Sequence, residues 1–195
     1  MTTPIRSLGP LLLCLLLFQS CTLLEELESL NPLQDDITVS VPAKEILYTV
    51  PATDLPGPYA FRETVETDLE QDMHNLGYNT DLLEGATAHV KSVRMEILTN
   101  NPSVRTYDIR NAVLRVRSRN TDENVDLTKG DVEIIDGRTA LLDVNDEIDI
   151  IPYLMGPRLT YAFTILFKDE AMTVEEAVDI RLLPEVVIVL APVLN

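Results

Sequence analysis

From Leu159 to Phe167 every second residue is large and apolar: Leu159, Tyr161, Phe163, Ile165 and Phe167. Successive side chains of a β-strand point to opposite faces, so this spacing builds one apolar face; a helix would spread the same five residues around its circumference. Slipping the pairing by one residue would turn all five to water, which makes the register firm.

The same period of two governs most of the chain after Asp36. Ile37, Val39 and Val41 alternate with Thr38 and Ser40, and after Pro42 the triplet Ile46, Tyr48 and Val50 repeats the theme. Val93, Met95 and Ile97 oppose Arg94 and Glu96, while Ala112, Leu114 and Val116 oppose Arg115 and Arg117. Val132 and Ile134, then Leu141 and Leu142, mark shorter strands around Asp136-Gly137, a hairpin signal because glycine accepts positive φ. Val178, Ile180 and Leu182 form a further strand, broken at Pro184, whose missing N–H implies an edge position or a bulge. The run Val186-Val187-Ile188-Val189-Leu190 beyond it reads as buried on both faces.

Breaks and helices complete the pattern. Pro51 to Pro58, with three prolines and Gly57, is a loop, and Asn100-Asn101-Pro102 is a turn. One helix is expected: Thr67 as its cap, Glu70 completing a capping box, Leu69, Met73 and Leu76 as an apolar stripe, and Gly77 at its end. Its place is at one end of the sheet pair. Asp149-Ile150-Ile151-Pro152-Tyr153-Leu154 reads as a helical turn closed by Gly156. About eight strands with so few helices predict a mainly β fold, an immunoglobulin-like antiparallel β-sandwich with one or two short helices. Residues 36–195 are enough for one such core and too few for two.

The first residues follow another rule. One cation, Arg6, precedes the apolar run Leu11-Leu12-Leu13-Cys14-Leu15-Leu16-Leu17-Phe18, and Gln19-Ser20-Cys21 follows. A basic start, a short apolar core and a small residue at the cut site make a secretory signal. The run falls short of the roughly 20 residues that a spanning helix needs. Its end resembles the lipobox of bacterial lipoproteins, where a small residue precedes a cysteine that is acylated and becomes the first mature residue. Phe18 stands where leucine is usual, and Gln19 is larger than most residues at its position. The resemblance implies residues 1–20 as signal peptide and Cys21 as the lipidation site, carrying palmitate-type chains.

Chemistry agrees with that assignment. Cys14 would leave with the leader, so Cys21 would be the one mature thiol, and thioether linkage to a diacylglyceride consumes a group that is a liability in an oxidising compartment. The family's mature N-terminus carries about three acyl chains, more than the two signals that stable anchoring takes. Thr22 is not the Asp that signals inner-membrane retention in that family, so the resemblance points to the outer membrane, with the domain periplasmic or surface-exposed. Residues 21–35 read as an acidic tether. Leu23, Leu27 and Leu30 share a helical face opposite Glu25, Glu26 and Glu28; a partner-docking helix and a loosely ordered linker both fit, since an isolated helix this short is marginal in water.

Fifteen Lys and Arg are scattered among 32 Asp and Glu, a net charge of −17 that becomes −18 once Arg6 leaves with the signal. Nucleic-acid binding needs clustered cations to displace counterions, so no nucleic-acid partner is expected. An anionic bilayer surface is repelled as well, which leaves membrane attachment to the N-terminal lipid. The acidity suits a soluble protein in a crowded envelope. Val90 to Leu190 also resembles the β-sandwich modules of envelope lipoproteins in didermal bacteria, in which a short acidic turn precedes the last strand pair. That likeness implies the fold and brings no functional residue with it.

The acidic cluster Asp143, Asn145, Asp146, Glu147 and Asp149 is the stronger candidate for Ca²⁺, which takes six to eight oxygens, and a solvated connection between strands is its other reading. It departs from the EF-hand loop: Ile148 replaces the turn glycine and Leu154 the bidentate Glu. Asp122-Glu123-Asn124-Val125-Asp126 is a second acidic loop with a weaker case. His74 and His89, the two histidines, have no neighbour at ligand spacing. The chain has no Gly-x-Ser-x-Gly elbow, no glycine-rich phosphate loop and no Trp on which a sugar ring would stack. No catalytic residue and no cofactor are therefore expected. The expected function is a membrane-anchored lipoprotein with a structural or accessory role, binding an envelope protein partner; the alternative is a ligand-binding module for a small apolar molecule or Ca²⁺.

Overall fold

Alternation becomes pairing throughout the computed structural model, which describes residues 37–41, 44–52, 58–100, 104–118, 123–168 and 174–190. The expected leader, Cys21 and the expected tether lie outside these residues, as do Asn101, Pro102 and Asp122. The alternating segments form ten strands: β1 (Ile37–Val41), β2 (Ile46–Val50), β3 (Tyr59–Glu66), β4 (Thr87–Ile97), β5 (Ile109–Ser118), β6 (Val125–Asp126), β7 (Thr128–Ile134), β8 (Thr139–Val144), β9 (Arg158–Phe167) and β10 (Val178–Leu190). Two short helices join them, α1 (Leu69–Asn75) and α2 (Ile151–Leu154).

The strands make an antiparallel β-sandwich. One sheet has the order β1-β10-β4-β8-β7, with β2 also on β10, and the other the order β3-β9-β5-β6. β10 is long enough to hold β1 along Val186–Leu190 and β2 along Val178–Leu182 on the same side. The inward residues of both sheets form one core, and the fold is mainly β, as the periodicity predicts.

β9 is the middle of that core. Leu159, Tyr161, Phe163, Ile165 and Phe167 are all buried on its inner face. The Phe163 ring stacks on Tyr48 of the opposite sheet, with centroids 5.5 Å apart. Tyr48 also donates its hydroxyl to the Tyr161 carbonyl at 3.3 Å, and burial pushes the Tyr161 phenol up to about 12. Each large apolar side chain so buried contributes roughly 1.5–3 kcal/mol.

Several local expectations are corrected. Pro184 does not break its strand or mark an edge: β10 runs unbroken through it, with β4 on one side and β1 and β2 on the other. Residues 183–185 have register partners on β4 alone, in the gap between β1 and β2, so a proline is accommodated inside a central strand. The adjoining bulge puts the extra residue, Lys91, on β4. The run 186–190 alternates after all, with Val186, Ile188 and Leu190 buried and Val187 and Val189 half-buried.

The helix cap is Asp68 rather than Thr67. Asp68 Oδ1 accepts from the Gln71 N–H at 3.0 Å, while the Thr67 hydroxyl donates to the Gly156 carbonyl and so fastens the helix entry to the start of β9. Leu69 and Met73 reach the core, whereas Leu76 is exposed; Gly77 ends the helix at φ +85°. At the β7–β8 turn glycine is not the device either. Gly137 lacks the positive φ that Gly77, Gly85 and Gly130 show. Asp136 makes the turn, accepting from the Arg138 and Thr139 N–H groups, each at 2.7 Å, and these bonds hold its carboxyl below the usual range. A Cβ at Gly137 would stand 3.3 Å from the Tyr107 ring, a tight contact that the ring would have to yield to by a few tenths of an ångström.

Candidate functional site

The inner face of β9 is large and apolar; its outer face is small. Thr160, Ala162 and Thr164 point outward between two strands that carry long side chains. Arg62 lies on β3, Arg115 and Arg117 on β5, and Arg158 at the start of β9. Register puts Arg62 and Arg115 on either side of Ala162, and Thr64 and Arg117 on either side of Thr160. A floor of Thr and Ala between arginine walls leaves a trough of about 1310 Å³. The Thr64 and Thr160 hydroxyls meet on that floor, 3.1 Å apart.

Two of the arginines are answered and two are not. Arg115 pairs with Asp126, directly opposite on β6, and Arg158 Nη2 lies 3.4 Å from Glu66 Oε1. Among the described residues neither Arg62 nor Arg117 has a carboxylate within 4.0 Å. Among the described residues, four guanidiniums with two carboxylate partners leave two positive charges unpaired, in a chain whose net charge is −17. Arginine presents a planar fork of donors that matches phosphate and carboxylate oxygens two at a time.

The acidic loop is arranged differently from a cation site. Asp149 Oδ1 accepts from the Ala88 N–H at 2.9 Å and the Ile151 N–H at 3.0 Å, so this carboxylate ties β4 to α2. Asn145 Nδ2 donates to the Asp126 carbonyl at 3.4 Å, and Asp146 lies 3.6 Å from Lys129. Asp143 and Glu147 are exposed. Among the described residues no three His, Cys, Asp or Glu side chains gather to hold a metal ion. His74 is exposed on α1, and His89 Nδ1 lies 3.2 Å from the Ile148 carbonyl. In the second acidic loop Val125 and Asp126 are β6 itself. Cys21 is outside the described residues.

Two other hollows are smaller. Beneath α1, between Leu69, Leu154, Tyr161 and Val186, the space is about 40 Å³, against the several hundred of a ligand pocket. Around Pro184, on the outer face of the six-stranded sheet, a hollow of about 520 Å³ is rimmed by Ser40, Ser92, Arg94 and Glu185. Its charges are neutralised in place. Glu185 takes Lys91 at 2.8 Å and the Ser92 hydroxyl at 3.1 Å, which hold its carboxyl below the usual range. Arg94 lies 2.9 Å from Glu96.

The arginine trough is the feature that sequence reasoning missed. Arg115 and Arg117 are legible as one outward face of one strand, but Arg62 and Arg158 lie on strands distant in sequence. Only the order β3-β9-β5 brings the four together.

No family model and no curated protein matches the chain. Two solved structures overlap it loosely. The crystal structure of the 60-mer BFDV capsid protein is 10% identical, over 83% of this chain and 96% of that one, at a TM-score of 0.29. The structure of turnip yellow mosaic virus is 9% identical, over 83% of this chain and 97% of that one, at a TM-score of 0.23. Neither likeness bears on function. No helix among the described residues is long and apolar enough to cross a membrane.

Proposed function

We propose that this chain is a lipid-tethered accessory protein of the bacterial cell envelope. In this reading the leader is removed, Cys21 is acylated, and the β-sandwich is held at the outer membrane, facing the periplasm or the outside, where it binds or braces another envelope component. The observation that carries the reading is Ser20-Cys21 at the end of the apolar run Leu11 to Phe18. A net charge of −17 supports it from the other side, because such a surface has no electrostatic hold on an anionic bilayer and needs a covalent one.

A partner has strand edges to use on both sheets: β1, β2 and β7 border the six-stranded one and β3 and β6 the four-stranded one, and at the β7 end Ile134 and Ile135 are exposed. Pairing with an added strand there satisfies the edge N–H and C=O groups. Pro184 faces the gap between β1 and β2 and has no N–H to give an added strand.

Fractionation of cells expressing the parent and Cys21→Ser tests the anchor. The parent is expected in the membrane fraction with a mass increment of acyl chains on Cys21, and the variant in the soluble fraction with neither. A variant that is processed and sediments as the parent does overturns the tether. Pull-down of the parent from detergent extracts at native expression is expected to recover an envelope protein in fixed ratio; recovery of an unaccompanied monomer overturns the accessory role.

A further inference from the structure

The trough on the outer face of the four-stranded sheet has a chemistry that the tether does not require. We propose that it binds a soluble oligoanion carrying at least two phosphate groups, one held by Arg62 and the other by Arg117. This inference is independent of lipidation at Cys21.

Three observations lead to it. First, like charges on neighbouring strands repel, and a face under no demand would interleave acids with its arginines. The six-stranded sheet does so: Lys91 has Glu185, Arg94 has Glu96, and Arg181 has both Glu96 and Glu45. On the four-stranded sheet Arg62 and Arg117 have no such partner among the described residues. Second, the two flank β9 diagonally, Arg62 level with Ala162 and Arg117 level with Thr160. With strands about 4.8 Å apart and about 3.4 Å per residue, their backbone positions are on the order of 12 Å apart, with no large side chain between them. Long side chains leaning over a floor of Thr and Ala reach a common ligand from both sides. Third, the Thr64 and Thr160 hydroxyls bond each other on the floor, which leaves one O–H of the pair to donate to a ligand.

The ligand class follows from charge and from shape. The repulsion that an anion meets from a chain of net charge −17 is screened beyond about a Debye length, roughly 8 Å at physiological salt, and is felt inside it. Local pairing must outweigh that repulsion. Phosphate groups suit the task because each brings high charge and three acceptor oxygens to a guanidinium fork. The one aromatic in the lining, Phe61, packs inward with its centroid 5.7 Å from Tyr48. Without an outward ring the trough has no stacking platform for bases, which single-stranded nucleic acids use.

Calorimetric titration of the full chain with sodium tripolyphosphate, at low and at high salt, tests the proposal. Saturable one-to-one binding is expected, weakened at least tenfold in the double variant Arg62→Gln/Arg117→Gln and within twofold of the parent in Lys91→Gln. Orthophosphate is expected to bind at least tenfold more weakly than tripolyphosphate. Matching melting midpoints for parent and double variant show that lost binding is not lost folding. Single Arg62→Gln and Arg117→Gln variants, each expected to lose part of the affinity, give the same reading if the double variant does not fold. No saturable binding by the parent overturns the proposal. So does equal affinity for the parent and the double variant, equal affinity for orthophosphate, or binding to vesicles of anionic lipid without binding to tripolyphosphate.

Discussion

The two outer faces of this sandwich differ in how far their cations are paired among the described residues. On the six-stranded sheet each cation is part of the architecture: Arg181 faces Glu96 directly across the β10–β4 ladder, with the Arg181 Nε–Glu96 Oε2 distance 3.0 Å, and Lys91, the bulge residue, reaches Glu185 at 2.8 Å. On the four-stranded sheet Arg62 and Arg117 stand over a trough and brace nothing that is described. The contrast separates charge that stabilises a fold from charge that the fold merely presents. Presented charge can be removed without loss of stability, and any function it has is exposed by its removal.

The largest expected effect falls on the core that both faces share. Phe163→Ala deletes a fully buried ring stacked on Tyr48, and should lower stability by about 3–5 kcal/mol in urea unfolding. Loss of the trough and of the ion pairs together in that variant would show that neither face stands without the interlocked rings. Gly130→Ala comes next. At φ +104° a side chain is strained, and its Cβ would stand 2.2 Å from Asn111 Nδ2, so the cost is roughly 1–3 kcal/mol. Asn111→Ala in the same chain relieves the clash and leaves the φ strain, so it is expected to restore only part of the melting midpoint.

Smaller effects separate the faces themselves. Arg181→Gln should lower the melting midpoint, because it leaves Glu96 facing an uncharged neighbour across the ladder, and a rise in salt should shrink the difference. Asp136 provides a pH-dependent contribution at the β7–β8 turn. Its folded carboxyl lies below the ordinary value of 3.8, so the stabilisation is full above that value and is lost as pH falls from 3.8 through the lower folded value. Asp136→Asn should flatten the acid limb of a melting-midpoint profile and leave the neutral limb little changed. Smallest of all, Arg62→Gln or Arg117→Gln should change stability by no more than about 0.5 kcal/mol. A large loss there would mean that these arginines are structural, and the contrast between the faces would fall.

Much of this architecture was legible in the residues. Strand β9 reads directly, because five large apolar side chains at every second position have one consistent arrangement. β4 and β5 were legible for the same reason, and α2 by its Asp149-to-Leu154 turn. Local chemistry was read less well where several residues compete for one role. Thr67 and Asp68 are both competent caps, and only the demand of the Gly156 carbonyl for a donor settles which of them caps. Asp136 and Gly137 are both turn residues, and only the Asp136 carboxylate's bonds to the Arg138 and Thr139 N–H groups show which of them makes the turn. Pro184 was half legible: the bulge it implies adjoins it, but β10 is no edge there, because the cost of a proline depends on whether a neighbour needs its N–H, and that is a property of the gap between β1 and β2.

The sequence by itself determined which residues face inward, since alternation is a property of one strand's backbone and needs no partner. The leader and Cys21 acylation of the proposed function rest on the linear sequence as well, since such a signal is read without a fold. Tertiary structure alone decided what the outward residues do together. Whether Arg62, Arg115, Arg117 and Arg158 are four scattered charges or one trough depends on strand order and register, and these are set by how the inner faces pack, to which the outward side chains contribute little.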